Sequence, residues 1–314
     1  MNSTSVLITG AGGFLGTHLV KHLQRNDIFD LHQVVRRGAA NFSNTIVCED
    51  LRVGFEWPLD HVDVVIHLAG LAHKQKSASK DDLEDFRSIN TFATINLAKQ
   101  AALSGVRRFI FLSSIGVYGD ATSAPLTSHV RACPIEPYAV SKYEAELLLL
   151  ELSKETGMEV VIIRPPLIYG PHAPGNFRKL VKLSCLGLPL PFSCVINRRS
   201  FIGVDNLCSL IEVCIFHLRA TQKPILPADR EVVSTVDLIR CISDASKVKA
   251  RLIPVPVGIL KLLFFLVGKR AMYQKLFGDL EIYTQEAYDL LDWAPCKTFV
   301  AGIHDAILYS ESVE

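Results

Sequence analysis

Residues 6–16 read Val6-Leu-Ile-Thr-Gly10-Ala-Gly-Gly13-Phe-Leu-Gly16. The apolar run Val6–Thr9 predicts a short buried strand, and Leu19, Val20 and Leu23 continue as an apolar-periodic helix. Between them stands Gly-x-x-Gly-x-x-Gly. Glycines at a strand-to-helix junction permit unusual backbone angles and let a phosphate approach the main chain. The helix N-terminus then offers free N–H groups and partial positive charge. Out of context the pattern is weak, but directly after a strand and opening a helix it points to a dinucleotide.

Working outward, strands and helices alternate. Leu31–Val35 is a second strand ending in Arg36-Arg37. An acid there would suit a ribose 2′-hydroxyl, whereas arginine suits a 2′-phosphate, so the pair favours NADP(H), with NAD(H) the alternative. Thr45–Cys48 is a third strand, followed by Asp50-Leu51 where an adenine ring could be held. Val62–Leu68, apolar as a strand covered on both faces should be, ends in the small pair Ala69-Gly70. A helix over residues 81–104 leads to Arg107–Leu112, which ends in Ser113-Ser114. This spacing predicts an α/β fold, a doubly wound parallel sheet of Rossmann type with a smaller, mixed C-terminal substrate-binding region. Ligands bind such sheets at the carboxyl ends of the strands.

Tyr138-Ala-Val-Ser-Lys142 lies on a helix expected over residues 137–156. Residues four apart share a helix face, and an ammonium beside a phenol favours the phenolate. A free tyrosine titrates near ~10, so Lys142 is expected to lower Tyr138 toward usefulness at neutral pH. Leu147–Leu150, four successive leucines, cover most of the helix circumference. One side should pack on the sheet and the other on a partner, which predicts a homodimer through this helix and that of residues 81–104.

The 314 residues suffice for one large or two joined domains, and 49% are hydrophobic. The division expected is 1–170 for the dinucleotide and 171–314 for the substrate, with part of the latter near 200–235 returning to the main fold. Net charge of +1 gives no case for a nucleic-acid partner. Ten histidines match no metal-ligand spacing, so no metal is expected. Eight cysteines form no Cys-x-x-Cys pair and, with no secretion signal, read as reduced, mostly buried thiols of a cytoplasmic protein. The longest apolar run, Val255–Val267, contains Pro256 and Lys261 and is shorter than the ~20 residues of a membrane span. It reads as a buried or half-buried helix, with peripheral membrane contact as the alternative.

With these motifs in order, the chain resembles an extended short-chain dehydrogenase/reductase of the NAD(P)-dependent nucleotide-sugar epimerase/dehydratase family. The resemblance is carried by Thr9–Gly16, His67-Leu-Ala-Gly70, Asn90, Phe111–Gly119, Tyr138–Lys142 and Arg164-Pro-Pro-Leu-Ile-Tyr-Gly-Pro171. Gly175-Asn-Phe177, Gly187–Pro191 and Asn197–Ser200 add a likeness to bacterial reductases and epimerases of surface-polysaccharide synthesis. The resemblance implies Tyr138 as acid/base, Lys142 as its helper on the nicotinamide ribose, and Ser114 as the hydroxyl on the reacting oxygen. It implies a cofactor lined by Gly10, Gly13, Phe14, Leu15, Gly16, Arg36, Arg37, Asp50, Leu51, Leu68, Ala69, Gly70, Asn90, Pro165 and Leu167. Asn176 and Arg199 would hold the diphosphate of a UDP-sugar.

Departures narrow the activity. Dehydratases of this kind carry an Asp-Glu pair after the catalytic hydroxyl, where this chain has Ile115 and Gly116. Several 4-epimerases carry a lysine shortly after the Ala-Gly of the fourth strand, where Leu71-Ala72 precede His73 and Lys74. The C-terminal arginine of many such enzymes has no clear counterpart, Arg270 being a candidate. The expected activity is hydride transfer at C4 of a UDP-hexose, a 4-ketoreductase favoured by Arg36-Arg37. The alternatives are a UDP-hexose or UDP-N-acetylhexosamine 4-epimerase and, from another class, a non-catalytic NADP(H)-binding module.

Overall fold

A computed structural model describes residues 3–36, 44–52, 54–72, 82–268 and 270–311. Its centre is a six-stranded, all-parallel sheet in the order β3-β2-β1-β4-β5-β6, the strands being β1 (Thr4–Thr9), β2 (Phe29–Val35), β3 (Thr45–Val47), β4 (Val64–His67), β5 (Arg108–Leu112) and β6 (Glu159–Ile163). This is the doubly wound order, with its switch point between β1 and β4. β2 begins two residues earlier than its apolar run suggests, because Phe29 pairs with Thr4 at the start of β1.

Side chains alternate across each strand. Val6 and Ile8 of β1 face a layer made by α1 (Phe14–Leu23), α6 (Val204–Phe216) and α10 (Gln285–Leu291). Leu7 faces the opposite layer, where Leu97 and Ala101 of α3 (Thr94–Leu103) and Ala145 and Leu149 of α4 (Pro137–Thr156) pack. The helix expected over 81–104 is not uniform: α2 (Asp82–Phe86) passes into a π-helical stretch, Arg87–Ala93, before α3. α4 has Pro137 at its start and ends at Gly157 in the left-handed conformation, φ +78°. Of its leucine run only Leu149 is buried, while Leu147, Leu148 and Leu150 are exposed.

Beyond the main sheet, β7 (Leu167–Tyr169) pairs with β9 (Phe201–Gly203), and β8 (Pro189–Leu190) with β10 (Arg251–Leu252). α5 (Gly175–Cys185) and α11 (Phe299–Glu311) both pack against α7 (Thr235–Ala245), and the three share one apolar cluster. Ile225 bridges to Ile163 of β6, and α6 packs on α1, so this part of the second half lies against the main sheet. A buried carboxylate, Asp229, fastens the join by accepting from Tyr169 (2.6 Å), Asn206 (2.7 Å) and the Gly203 N–H.

Two expectations fail. Among the cysteines, Cys133, Cys185, Cys194 and Cys296 are exposed and only Cys48, Cys208 and Cys214 are buried, although all eight are free thiols. The apolar run near the C-terminus forms α8 (Val257–Leu266), followed by α9 (Arg270–Phe277), and α8 is neither buried nor half-buried. Only a narrow stripe finds a partner cluster, with Leu260 buried and Val257 and Phe264 partly so. No helix among the described residues is long and apolar enough to cross a membrane.

α4 is tied to the sheet by a buried ion pair. Arg164, just after β6, donates to Glu146 through Nε (3.0 Å) and Nη2, and to the Tyr118 hydroxyl through Nη1 (2.5 Å). Glu146 is 1% exposed, so its removal strands a guanidinium in a low-dielectric site. Glu146→Ala is expected to cost about 3–5 kcal/mol in equilibrium urea unfolding. Replacing both partners by apolar residues of similar volume should cost much less.

Candidate active site

The glycine turn is built by steric exclusion. A Cβ on Gly16 would lie 2.1 Å from the Gly10 carbonyl oxygen, and one on Gly10 (φ +72°) would lie 2.8 Å from the Ala69 nitrogen. No side chain fits either place. Gly13 donates to the Gly10 carbonyl (2.9 Å) and stands at the start of α1 with no side-chain cap, which leaves the first N–H groups of that helix pointing outward. A cradle that a Cβ would fill, over an uncapped helix N-terminus, fits the diphosphate of a dinucleotide. Leu15 is buried in the core, so it can offer only backbone there. Phe14 packs edge-on to His18 and lies beside Gly170.

β4 meets this turn through Thr9. Leu68 donates to the Thr9 carbonyl (3.2 Å) and Ala69 to its hydroxyl (3.3 Å). Gly70 comes next, and a Cβ on it would sit 3.1 Å from both Asn90 Oδ1 and Lys142 Nζ. The glycine turn, the end of β4 and the Tyr-Lys helix thus form one wall. Asn90 spends its amide within the protein: Oδ1 accepts from Leu71 (2.8 Å), while Nδ2 donates to the Leu71 carbonyl (3.1 Å) and to Ser141 Oγ (3.0 Å). It positions this wall rather than presenting a free group to it.

Ser114 follows β5 in extended conformation and accepts from Gly116 (3.1 Å). Its hydroxyl also faces the Tyr138 phenol and favours the phenolate. Ser113 Oγ is buried with no hydrogen-bond partner. Lys142, 3% exposed, donates to the Leu112 carbonyl (2.9 Å) and lies 4.6 Å from the centre of the Phe111 ring. Burial pushes the Tyr138 phenol up to about 12, with the Ser114 hydroxyl opposing. The expectation that Lys142 depresses Tyr138 therefore fails in this state. The buried ammonium turns to the nearest carbonyl instead, and burial pushes it down to about 8, with Glu146 opposing.

Other expected residues are placed as follows. Arg36 is exposed at the end of β2, and Arg37, like His73 and Lys74, lies outside the described residues. Asp50 accepts from the Arg52 guanidinium (2.6 Å) and its N–H (2.9 Å), which holds its carboxyl down to about 2. Leu51 packs partly buried against the sheet layer of α3. Pro165 is buried, its carbonyl accepting from Ile115 (3.0 Å), and Leu167 opens β7. Asn176 is exposed on the first turn of α5. Arg199 is largely enclosed; its Nη1 donates to the Gly278 carbonyl (2.8 Å), and Asp120 and Asp279 are its acidic neighbours. A guanidinium with hydrogens to spare in such a setting fits a phosphate group. The described residues include no cluster of three or more His, Cys, Asp or Glu that could hold a metal ion.

Sequence reasoning missed His67 as a structural joint. Thr94 donates to the Asn90 carbonyl (2.8 Å), so its oxygen accepts from His67 Nε2 (2.9 Å), and His67 Nδ1 accepts from Thr9 (2.7 Å). Burial keeps the ring neutral, pushed down to about 3. The signal available was a histidine inside an otherwise apolar strand. Also missed was the π-helical stretch, which turns Thr91 onto the Ser141 carbonyl (2.8 Å) and Asn90 onto its hydroxyl.

Comparison with known proteins agrees with this geometry. Residues 6–225 match the NAD dependent epimerase/dehydratase family. The chain belongs to that family. It is 38% identical to a UDP-glucose 4-epimerase of Vibrio cholerae over 95% of this chain and 93% of that one. It is 26% identical to the N-acetyl-α-D-glucosaminyl-diphospho-ditrans,octacis-undecaprenol 4-epimerase of Escherichia coli O157:H7, over 82% and 77%. Among solved structures, UDP-glucuronic acid 4-epimerase of Bacillus cereus, in complex with UDP-glucuronic acid and NAD, superposes with a TM-score of 0.79. That match is 21% identical and covers 99% of this chain and 100% of the other. As a member of the family the protein is an NAD(P)-dependent enzyme, and the geometry accommodates the dinucleotide.

The depressed Lys142 makes stability depend on pH in a definite direction. Between about 8, its value in the fold, and its ordinary 10.5, the unfolded chain binds a proton that the folded one does not. Stability conferred by this site therefore rises with pH through that window, by about 1.4 kcal/mol per unit. Subtracting urea unfolding of Lys142→Met from that of the cofactor-free wild type should show this rise. A flat difference would mean that the ammonium is solvated.

Proposed function

We propose that the protein is a UDP-hexose 4-epimerase, using NAD that it retains through the cycle. The supporting observation is the 38% identity to the V. cholerae UDP-glucose 4-epimerase along nearly the full length of both chains, together with an intact Ser114–Tyr138–Lys142 set. The bound nicotinamide supplies the acceptor, and then the donor, of a hydride at sugar C4. Tyr138 moves the proton at the 4-oxygen, Ser114 holds that oxygen, and Lys142 orients the ribose side of the wall beside Gly70. Arg199 and Asn176 hold the diphosphate. Residues 171–314, apart from the portion packed on the main sheet, bind the nucleotide sugar. Dehydration is disfavoured because Ile115 and Gly116 follow Ser114 and bring no acid/base pair.

The 4-ketoreductase is the second reading, favoured by exposed Arg36 at the end of β2, where a 2′-phosphate would lie. The two part in one assay. An epimerase converts UDP-glucose to UDP-galactose with no added cofactor, whereas a reductase oxidises NADPH stoichiometrically on a UDP-4-keto sugar. Tyr138→Phe should lower turnover by about 10²–10⁴-fold while leaving cofactor affinity unchanged. Full turnover in that variant would remove Tyr138 from the mechanism, and no turnover in the wild type would leave a binding module.

We also propose a homodimer through α4 and the helix before it. Leu147, Leu148 and Leu150 are exposed on α4, and Phe92 and Leu103 on its neighbour. Light scattering at micromolar concentration should give twice the chain mass, and Leu147→Glu with Leu150→Glu should halve it. A wild-type monomer would end the proposal.

A further inference from the structure

One surface has no part in the reaction at Tyr138. Between Asp244 and Asp279 the sequence carries seven lysines and arginines and no carboxylate, in a chain whose net charge is only +1. Lys247, Lys249, Arg251 and Lys261 of this stretch are exposed. At its centre lies α8. Val257, Leu260 and Phe264 recur at helical spacing and seat it on a cluster that includes Phe192, Ile239 and Phe277. Apart from Lys261, the rest of its circumference is apolar and open: Leu262 is 57% exposed, Phe265 64% and Leu266 70%.

A helix apolar on nearly every side is ordinarily buried. Ten residues span about 15 Å, half of the ~30 Å hydrocarbon layer, so α8 cannot cross a bilayer. An apolar helix lying in a cationic, acid-free segment has the composition of one that rests in the lipid interface. A second copy fits less well. A two-fold interface sets each patch against itself and would bring the exposed cations of two copies together.

We propose that α8 docks the protein on an anionic phospholipid bilayer. Leu262, Phe265 and Leu266, which share a face at i, i+3 and i+4, enter the boundary of the acyl chains. Lys249, Arg251 and Lys261 lie among the headgroups. Continuity with the site follows from α9. That helix is followed by Gly278, whose carbonyl receives Arg199, and its Lys275 donates to Glu136 (2.5 Å) at the start of α4. Docking therefore holds the substrate crevice at the membrane surface, whichever sugar it takes.

The test is flotation of the full-length protein with vesicles of phosphatidylcholine alone or mixed with phosphatidylglycerol. The wild type should float with the mixed vesicles and be released by raised salt. Leu262→Glu, Phe265→Glu and Leu266→Glu combined should reduce the bound fraction about tenfold or more, with melting temperature and cofactor affinity retained. Lys261→Glu with Arg251→Glu should weaken binding to the anionic vesicles and leave the small binding to phosphatidylcholine unchanged. The proposal is overturned if the wild type does not float, or if the triple variant floats as well as it does. It is also overturned if, without vesicles, the triple substitution lowers the mass by light scattering, since a second copy would then cover α8.

Discussion

Asn90 is the constraint on which the site depends. Its amide takes both backbone groups of Leu71 and the hydroxyl of Ser141. Leu71 belongs to the loop that carries Gly70, and Ser141 precedes Lys142, so one side chain fixes the distance between the cofactor wall and the Tyr-Lys helix. In a buried place each of those hydrogen bonds is expensive to leave unmade. The π-helical stretch has a physical purpose in this light. It turns the backbone so that Asn90 and Thr91 face α4 together, an arrangement common where such irregularities meet functional sites.

Protonation in the site follows burial more than charge pairing. His67, Lys142 and Tyr138 are all driven toward their neutral forms by desolvation. For His67 this is final, since both ring nitrogens are committed to threonines. Lys142 and Tyr138 stand closer to a balance. Ser114 already favours the phenolate, and Glu146 already favours the ammonium, so modest changes in local charge act on groups that the fold holds ready.

Much of the architecture was legible. Val6–Gly16, with its strand, its glycines and its helix, specifies both the fold and the diphosphate cradle, because a 2.1 Å clash excludes any Cβ at Gly16. The Tyr-Lys spacing was legible for the same local reason. The Glu146–Arg164 pair was not, since its members are eighteen residues apart in sequence and meet only across the packing of α4 on β6. Nor was the direction of the Tyr138 shift: spacing along a helix says that Lys142 shares its face, but not that the Leu112 carbonyl at the end of β5 captures the ammonium first. The α8 run misled for a different reason. Apolar composition states a preference for leaving water and does not say what will cover it.

The contrast between Gly16 and Arg36 separates two properties that are often entangled. Gly16 is held by atoms that cannot give way, so any residue but glycine is sterically barred. Arg36 is exposed at the rim where the adenosine ribose would lie, and the core is complete without its side chain. On the proposed placement of the ribose beside Arg36, cofactor preference can be redesigned at the rim without a toll on folding, whereas the turn proposed to hold the diphosphate tolerates no side chain at Gly16.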